Sequence, residues 1–90
     1  MSAIVSIKDD LSMSFVYTKH ANMRMRERNL LPSQIEQAVL QPDNVIPSFK
    51  GRLLARKEFL GNILEVAYRW EKESYIILTA YWLEEVPDED

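Results

Sequence analysis

The sequence predicts an α+β domain in which two N-terminal helices pack on one face of a three- to five-stranded antiparallel sheet. Three observations carry this. Helical spacing of apolar residues is confined to residues 18–40, alternating spacing begins at Val45, and turn-forming residues divide the alternating part into successive strands.

Residues 1–14 read as an arm or edge strand, with Ala3, Val5 and Ile7 alternating before Lys8-Asp9-Asp10. Phe15-Val16-Tyr17 is a short β-prone run that leads directly into a helix, and the Thr18 hydroxyl is placed to cap its first turn. Ala21 and Met25 give this helix an apolar stripe, while His20, Arg24 and Arg28 stand at successive i, i+4 steps and so form a row along one side. Asn29 tolerates a left-handed conformation and marks the end after about three turns. Pro32 suits the first turn of a second helix, and Ser33 with Glu36 matches a capping box, two signals that start the helix at slightly different residues. Its core face is Ile35, Ala38 and Val39, and Gln41-Pro42-Asp43 stops it.

Strands follow at Val45-Ile46 and Leu53–Phe59, with a hairpin turn at Leu60-Gly61-Asn62. The next strand, Ile63–Trp70, sets Leu64, Val66, Tyr68 and Trp70 against Ile63, Glu65, Ala67 and Arg69. After Glu71–Ser74, the last strand, Tyr75–Trp82, is apolar on both faces, as expected near a sheet centre, with Ile76, Leu78, Ala80 and Trp82 opposed to Tyr75, Ile77, Thr79 and Tyr81. Some of Lys57, Glu65, Arg69, Thr79 and Tyr81 are expected to line the sheet face left open. Residues 15–83 thus form one domain, with 84–90 an acidic tail.

Composition narrows the chemistry. The 90 residues contain no cysteine and one histidine, which excludes disulfides, thiolate nucleophiles and zinc sites built on sulfur or several histidines. No apolar run approaches the roughly 20 residues of a membrane span and no signal pattern opens the chain, so a cytoplasmic protein is expected. Net charge is −3, but five of the fourteen acids lie in the last seven residues. Between Tyr17 and Lys57 eight bases face three acids, a basic middle that permits a polyanion partner.

Paired carboxylates, a glycine-rich phosphate loop, a Ser-His-Asp set and metal-ligand spacings are all missing, which leaves His, Arg, Lys, Thr and Tyr. That set suits RNA cleavage without metal or other cofactor, in which the ribose 2′-OH attacks the adjacent phosphate. Imidazole exchanges protons near neutrality and guanidinium binds phosphate oxygens bidentately. His20, Lys57 and Thr79 are the expected catalytic residues, and RNA or phosphate contacts fall to Arg24, Arg28, Arg52, Arg56, Arg69 and Tyr81. Each has a plainer reading: a helical His between arginines is commonly solvated, Lys57 beside Leu53, Ala55 and Phe59 can snorkel, and Thr79 and the tyrosines can serve packing alone.

The pattern Tyr17-Thr18-Lys19-His20-Ala21, then Arg24-Met25 and Arg28, Gln41-Pro42-Asp43, Gly51-Arg52, Lys57-x-Phe59 and Leu78-Thr79-Ala80-Tyr81 resembles a domain-of-unknown-function family of small bacterial proteins. That family is related to the RelE-like and BrnT-like toxins of toxin–antitoxin systems, whose fold is grouped with the barnase-like and colicin-like ribonucleases. The resemblance implies a RelE-like fold, a metal-independent endoribonuclease acting on RNA, free or on the ribosome, an antitoxin partner, and a site at His20, Arg24, Arg28, Lys57 and Thr79. The chain departs from the toxins in its acidity and its tail. Two other readings stay open: a non-catalytic module that binds nucleic acid or an acidic protein segment, and a structural homodimer.

Overall fold

The computed structural model describes residues 14–85; the arm expected N-terminal to Ser14 and most of the acidic tail lie outside the described residues. In chain order the elements are β1 (Ser14–Tyr17), α1 (Lys19–Glu27), α2 (Pro32–Leu40), β2 (Asn44–Pro47), a 3-10 turn (Phe49–Gly51), β3 (Leu53–Phe59), β4 (Asn62–Glu71), β5 (Ser74–Trp82) and a second 3-10 turn (Leu83–Glu85).

Both ends of α1 are fixed by local chemistry. Thr18 is extended, and its Oγ1 accepts the Ala21 N–H at 3.0 Å. At the other end Asn29 takes φ 55°, Leu30 donates to the Met25 carbonyl at 2.8 Å, and Asn29 donates to that of Arg26 at 3.4 Å. This is a Schellman termination, with Leu30 buried as its apolar anchor. For α2 the proline signal prevails. Pro32 is the first helical residue, Leu31 is the N-cap, and Gln34 Oε1 reaches back to the Leu31 N–H at 2.9 Å. The expected Ser33–Glu36 box does not form, because the helix starts before Ser33 and Glu36 Oε2 instead accepts from the Tyr17 hydroxyl at 2.7 Å.

The sheet runs β1-β5-β4-β3-β2. It is mixed, contrary to the all-antiparallel expectation: β2 to β5 pair antiparallel, but β1 lies parallel to β5, with Phe15 opposite Tyr75 and Tyr17 opposite Ile77. No tight turn joins β1 to β5, so nothing in the local chain imposes an antiparallel pairing on them. The central strand is β4, with β5 beside it, and β4 is buried from Leu64 to Tyr68.

A two-residue turn joins each of the later hairpins. Leu60 and Gly61 take φ 52° and 89°, and Lys72 and Glu73 take φ 51° and 61°, the left-handed pair that matches strand twist. The expected alternation along β5 fails at one place. Ala67 pairs with Thr79 but Tyr68 pairs with Ile77, so Leu78 is an extra residue. This bulge puts Tyr75 and Ile77, and then Ala80 and Trp82, on the helix side; Thr79 and Tyr81 remain opposite. One core results, in which Ala21, Met25, Ile35, Ala38 and Val39 of the helices meet Ala55, Leu64, Val66, Tyr68, Ile77 and Ala80 of the sheet. The α1 helix lies on β5, and α2 on β3 and β4. Among the described residues no helix is long and apolar enough to cross a membrane.

Candidate nucleic-acid interface

The row on α1 is formed as its spacing requires. His20 is exposed, Arg24 Nε donates to His20 Nε2 at 3.4 Å, and Arg24 Nη1 pairs with Glu27 Oε1 at 2.9 Å. Arg28 closes the row differently. Pairing of β1 with β5 ends at Ile77, so the following β5 carbonyls are met by α1: Thr18 Oγ1 donates to Leu78 O at 3.4 Å and Arg28 Nη1 to Ala80 O at 2.9 Å. From there the Arg28 guanidinium lies 5.9 Å from the Tyr81 ring centroid. The row therefore leads from the exposed flank of α1, around the edge of β5, to the sheet face that the helices leave uncovered.

On that face Arg56, Glu65 and Tyr81 stand in one rung across β3, β4 and β5. Glu65 is only 3% exposed and is held from both sides, by Arg56 Nε at 2.6 Å and by the Tyr81 hydroxyl. Leu54, Ala67 and Thr79 form the next rung. They belong to a cleft of about 200 Å³ that is also lined by Ser48, Phe49, Arg52 and Tyr81. The Arg52 guanidinium lies 5.2 Å from the Phe49 ring centroid, and Thr79 Oγ1 is buried with no hydrogen-bond partner among the described residues. Arg69, further along β4, lies with Nε 3.3 Å from Glu71 Oε2, outside hydrogen-bond geometry.

Lys57 is elsewhere. It alternates with Ala55 on the helix side of β3, and its Nζ donates to the Gln41 carbonyl at 2.9 Å, satisfying the C-terminal end of α2. The sheet separates it from Thr79, so the open face expected to include Lys57 does not. His20, Lys57 and Thr79 are not brought together. Two groupings do form: His20, Arg24 and Arg28 meeting Tyr81, and Arg52, Thr79 and Tyr81 around the cleft. Sequence reasoning missed Phe49 and Ser48 as lining residues. The signal available for Phe49 was an aromatic residue directly before Lys50-Gly51, in a connection too short to bury it.

Two tyrosines are perturbed. Burial, with the Glu36 carboxylate beside it, pushes the Tyr17 hydroxyl far above the usual phenol range, and burial with Tyr75 nearby raises Tyr68. Among the described residues no group of three His, Cys, Asp or Glu is placed to hold a metal ion.

Two short helices on one face of a five-stranded mixed sheet, with cationic side chains at the edge and on the opposite face, define the class of domain. The model of one family, a domain of unknown function (DUF4258), matches residues 17–82, and the chain belongs to that family. Among solved structures it is similar in fold to the ribonuclease toxin BrnT of Brucella abortus, known from a crystal structure at 1.1 Å resolution. The TM-score is 0.59 at 17% sequence identity, over 82% of this chain and 100% of that one. A search of curated proteins finds no match.

Proposed function

We propose that the chain is a toxin-like endoribonuclease, independent of metal ions and restrained by an antitoxin protein. Two things support this reading: the fold shared with a protein described as a ribonuclease toxin, and a histidine held in line with two arginines. The observation that carries it is the path of that row. Arg28, anchored on Ala80 and set against Tyr81, connects the imidazole flank of α1 with the uncovered sheet face.

In this mechanism His20 removes the proton of the ribose 2′-OH, whose oxygen attacks the adjacent phosphorus. The P–O5′ bond breaks, a 2′,3′-cyclic phosphate forms, and the departing 5′-oxygen takes a proton from the imidazolium or from water. Arg24 and Arg28 hold the non-bridging oxygens as charge builds on them. Thr79 and Tyr81 position the chain, and Arg52, Arg56 and Arg69 add phosphate contacts along the face. Lys57, on the other side of the sheet, takes no part.

The test is cleavage of end-labelled RNA, free and on translating ribosomes, with chelator present. Cutting that leaves cyclic-phosphate ends and falls by about 10²–10⁴ in His20→Ala is the expected result. No cutting in either context, or cutting indifferent to His20, overturns the reading.

One observation favours a second reading, a binding module without catalysis: His20 stands on an exposed helix flank. That reading predicts RNA affinity that falls steeply with salt and no cleavage.

A further inference from the structure

The cleft on the uncovered sheet face takes no part in the proton transfers proposed above, although Arg52, Thr79 and Tyr81, which contact the RNA chain in that reading, belong to its lining. Leu54 and Ala67, with Thr79 beside them, form one rung of the sheet at its floor. An aromatic residue stands on either side, Phe49 from the connection before β3 and Tyr81 from β5, and each carries an arginine: Arg52 at 5.2 Å from the first ring centroid and Arg28 at 5.9 Å from the second. Phe49 is 65% exposed, so its ring is open to a stacking partner. The turn holding it out is demanding, with Lys50 at φ 60° and Gly51 at φ 73°. At about 200 Å³ the cleft is smaller than the roughly 300–1,000 Å³ typical of drug-sized ligand sites.

We propose that this cleft binds one unpaired nucleobase of an RNA strand, stacked against Phe49, with Arg52 and Arg28 holding the flanking phosphates. Two aromatic–arginine pairs at a cleft with Leu54 and Ala67 at its floor fit a ligand that is planar in the middle and anionic at both ends. Single-stranded RNA offers that unit once per nucleotide, and its bases stack on aromatic rings and guanidinium planes. Thr79 supplies a hydroxyl that has no partner among the described residues, a rare condition for a buried polar group and one that a base edge relieves. The proposal deepens the ribonuclease reading and rests on it for the identity of the ligand as RNA.

The experiment is equilibrium binding of the full chain to a short RNA whose 2′-hydroxyls are all methylated. This probe cannot be cleaved, so binding is measured apart from catalysis. Phe49→Leu removes the ring but keeps an apolar side chain at an exposed position; Phe49→Trp keeps a stacking surface. We expect Phe49→Leu to weaken binding by roughly 5- to 150-fold, the range for loss of one base–aromatic stack, and Phe49→Trp to restore it. Deleting one base from the probe, leaving its sugar and phosphate, should cost the intact protein a similar factor and cost Phe49→Leu nothing further. Binding that is absent, or unchanged by Phe49→Leu, overturns the proposal, and if unmodified RNA is still cut through His20 the ribonuclease reading survives it. Phe49-dependent binding with no cleavage of unmodified RNA upholds the cleft and removes the ribonuclease.

Discussion

Arg28 and Ala80 are joined across 52 residues of chain by a hydrogen bond of 2.9 Å, from the guanidinium on the C-cap residue of α1 to a β5 carbonyl just past the end of β1. The same arginine that points the cationic row toward the open face therefore also fastens α1 to the sheet. A charge-assisted, part-buried bond of this kind contributes about 1.5–3 kcal/mol, and Arg28→Ala should lose that much in urea denaturation. Arg24→Ala, whose pair with Glu27 lies on the helix surface, should lose no more than about 0.5 kcal/mol. Equal losses would show that Arg28 has no fastening role. The comparison also decides how RNA data are read: a defect in Arg24→Ala reports on the ligand, whereas one in Arg28→Ala reports on fold and ligand together.

Tyr17 and Glu36 make stability depend on alkaline pH. The Tyr17 hydroxyl is raised by burial first and by Glu36 second, so the folded protein keeps a proton that the unfolded chain releases near pH 10. The stabilisation is fully present below that pH and declines as pH rises above it. Tyr17→Phe should cost about 1 kcal/mol at pH 7, by loss of the bond to Glu36, and should flatten the decline seen on titrating from pH 9 to 11. A decline of the same slope in the variant would assign it to other groups, Tyr68 among them.

Lys57 offers a sharp division between two roles. Bound to the Gln41 carbonyl at the end of α2, it should contribute less than about 1 kcal/mol, and Lys57→Ala should leave RNA cleavage unaltered. A loss of cleavage comparable with that of His20→Ala would return Lys57 to the reaction.

What the sequence made legible was local. Thr18 as a cap, Asn29 in a left-handed termination, Pro32 opening α2 and a turn at Leu60-Gly61-Asn62 each depend on a few adjacent residues, and each stands where its chemistry predicts, except that Asn62 already belongs to β4. The failures depend on distant partners. Whether β1 lies parallel or antiparallel to β5 is settled some sixty residues away, and the extra residue Leu78 exists only relative to the β4 register. Lys57 could be placed on its strand face but not opposite Gln41, because nothing in β3 records where α2 ends. The pairing of Arg56 and Tyr81 with Glu65 was hidden likewise, since it requires three strands in register.

The turn between β4 and β5 is a place where the chain carries avoidable strain. Lys72 and Glu73 both hold positive φ, a region in which a Cβ crowds the backbone and which asparagine and glycine occupy far more readily. The turn between β3 and β4 meets the same requirement with Gly61 at its second position. Replacing Lys72-Glu73 with Asn-Gly should therefore stabilise the protein by about 1–2 kcal/mol, less a few tenths for the greater freedom of glycine in the unfolded chain. In a domain of this size each kcal/mol moves Tm by about 4–8 °C, so calorimetry should find a clear rise. The converse substitution isolates the cause. A Cβ at Gly61 would meet nothing within 4 Å, so Gly61→Ala changes backbone preference without steric contact and should lower stability by about 1 kcal/mol. If Asn-Gly leaves Tm unmoved while Gly61→Ala lowers it, the strain at Lys72 and Glu73 is offset by contacts of their own side chains, and removing those side chains has cancelled the gain.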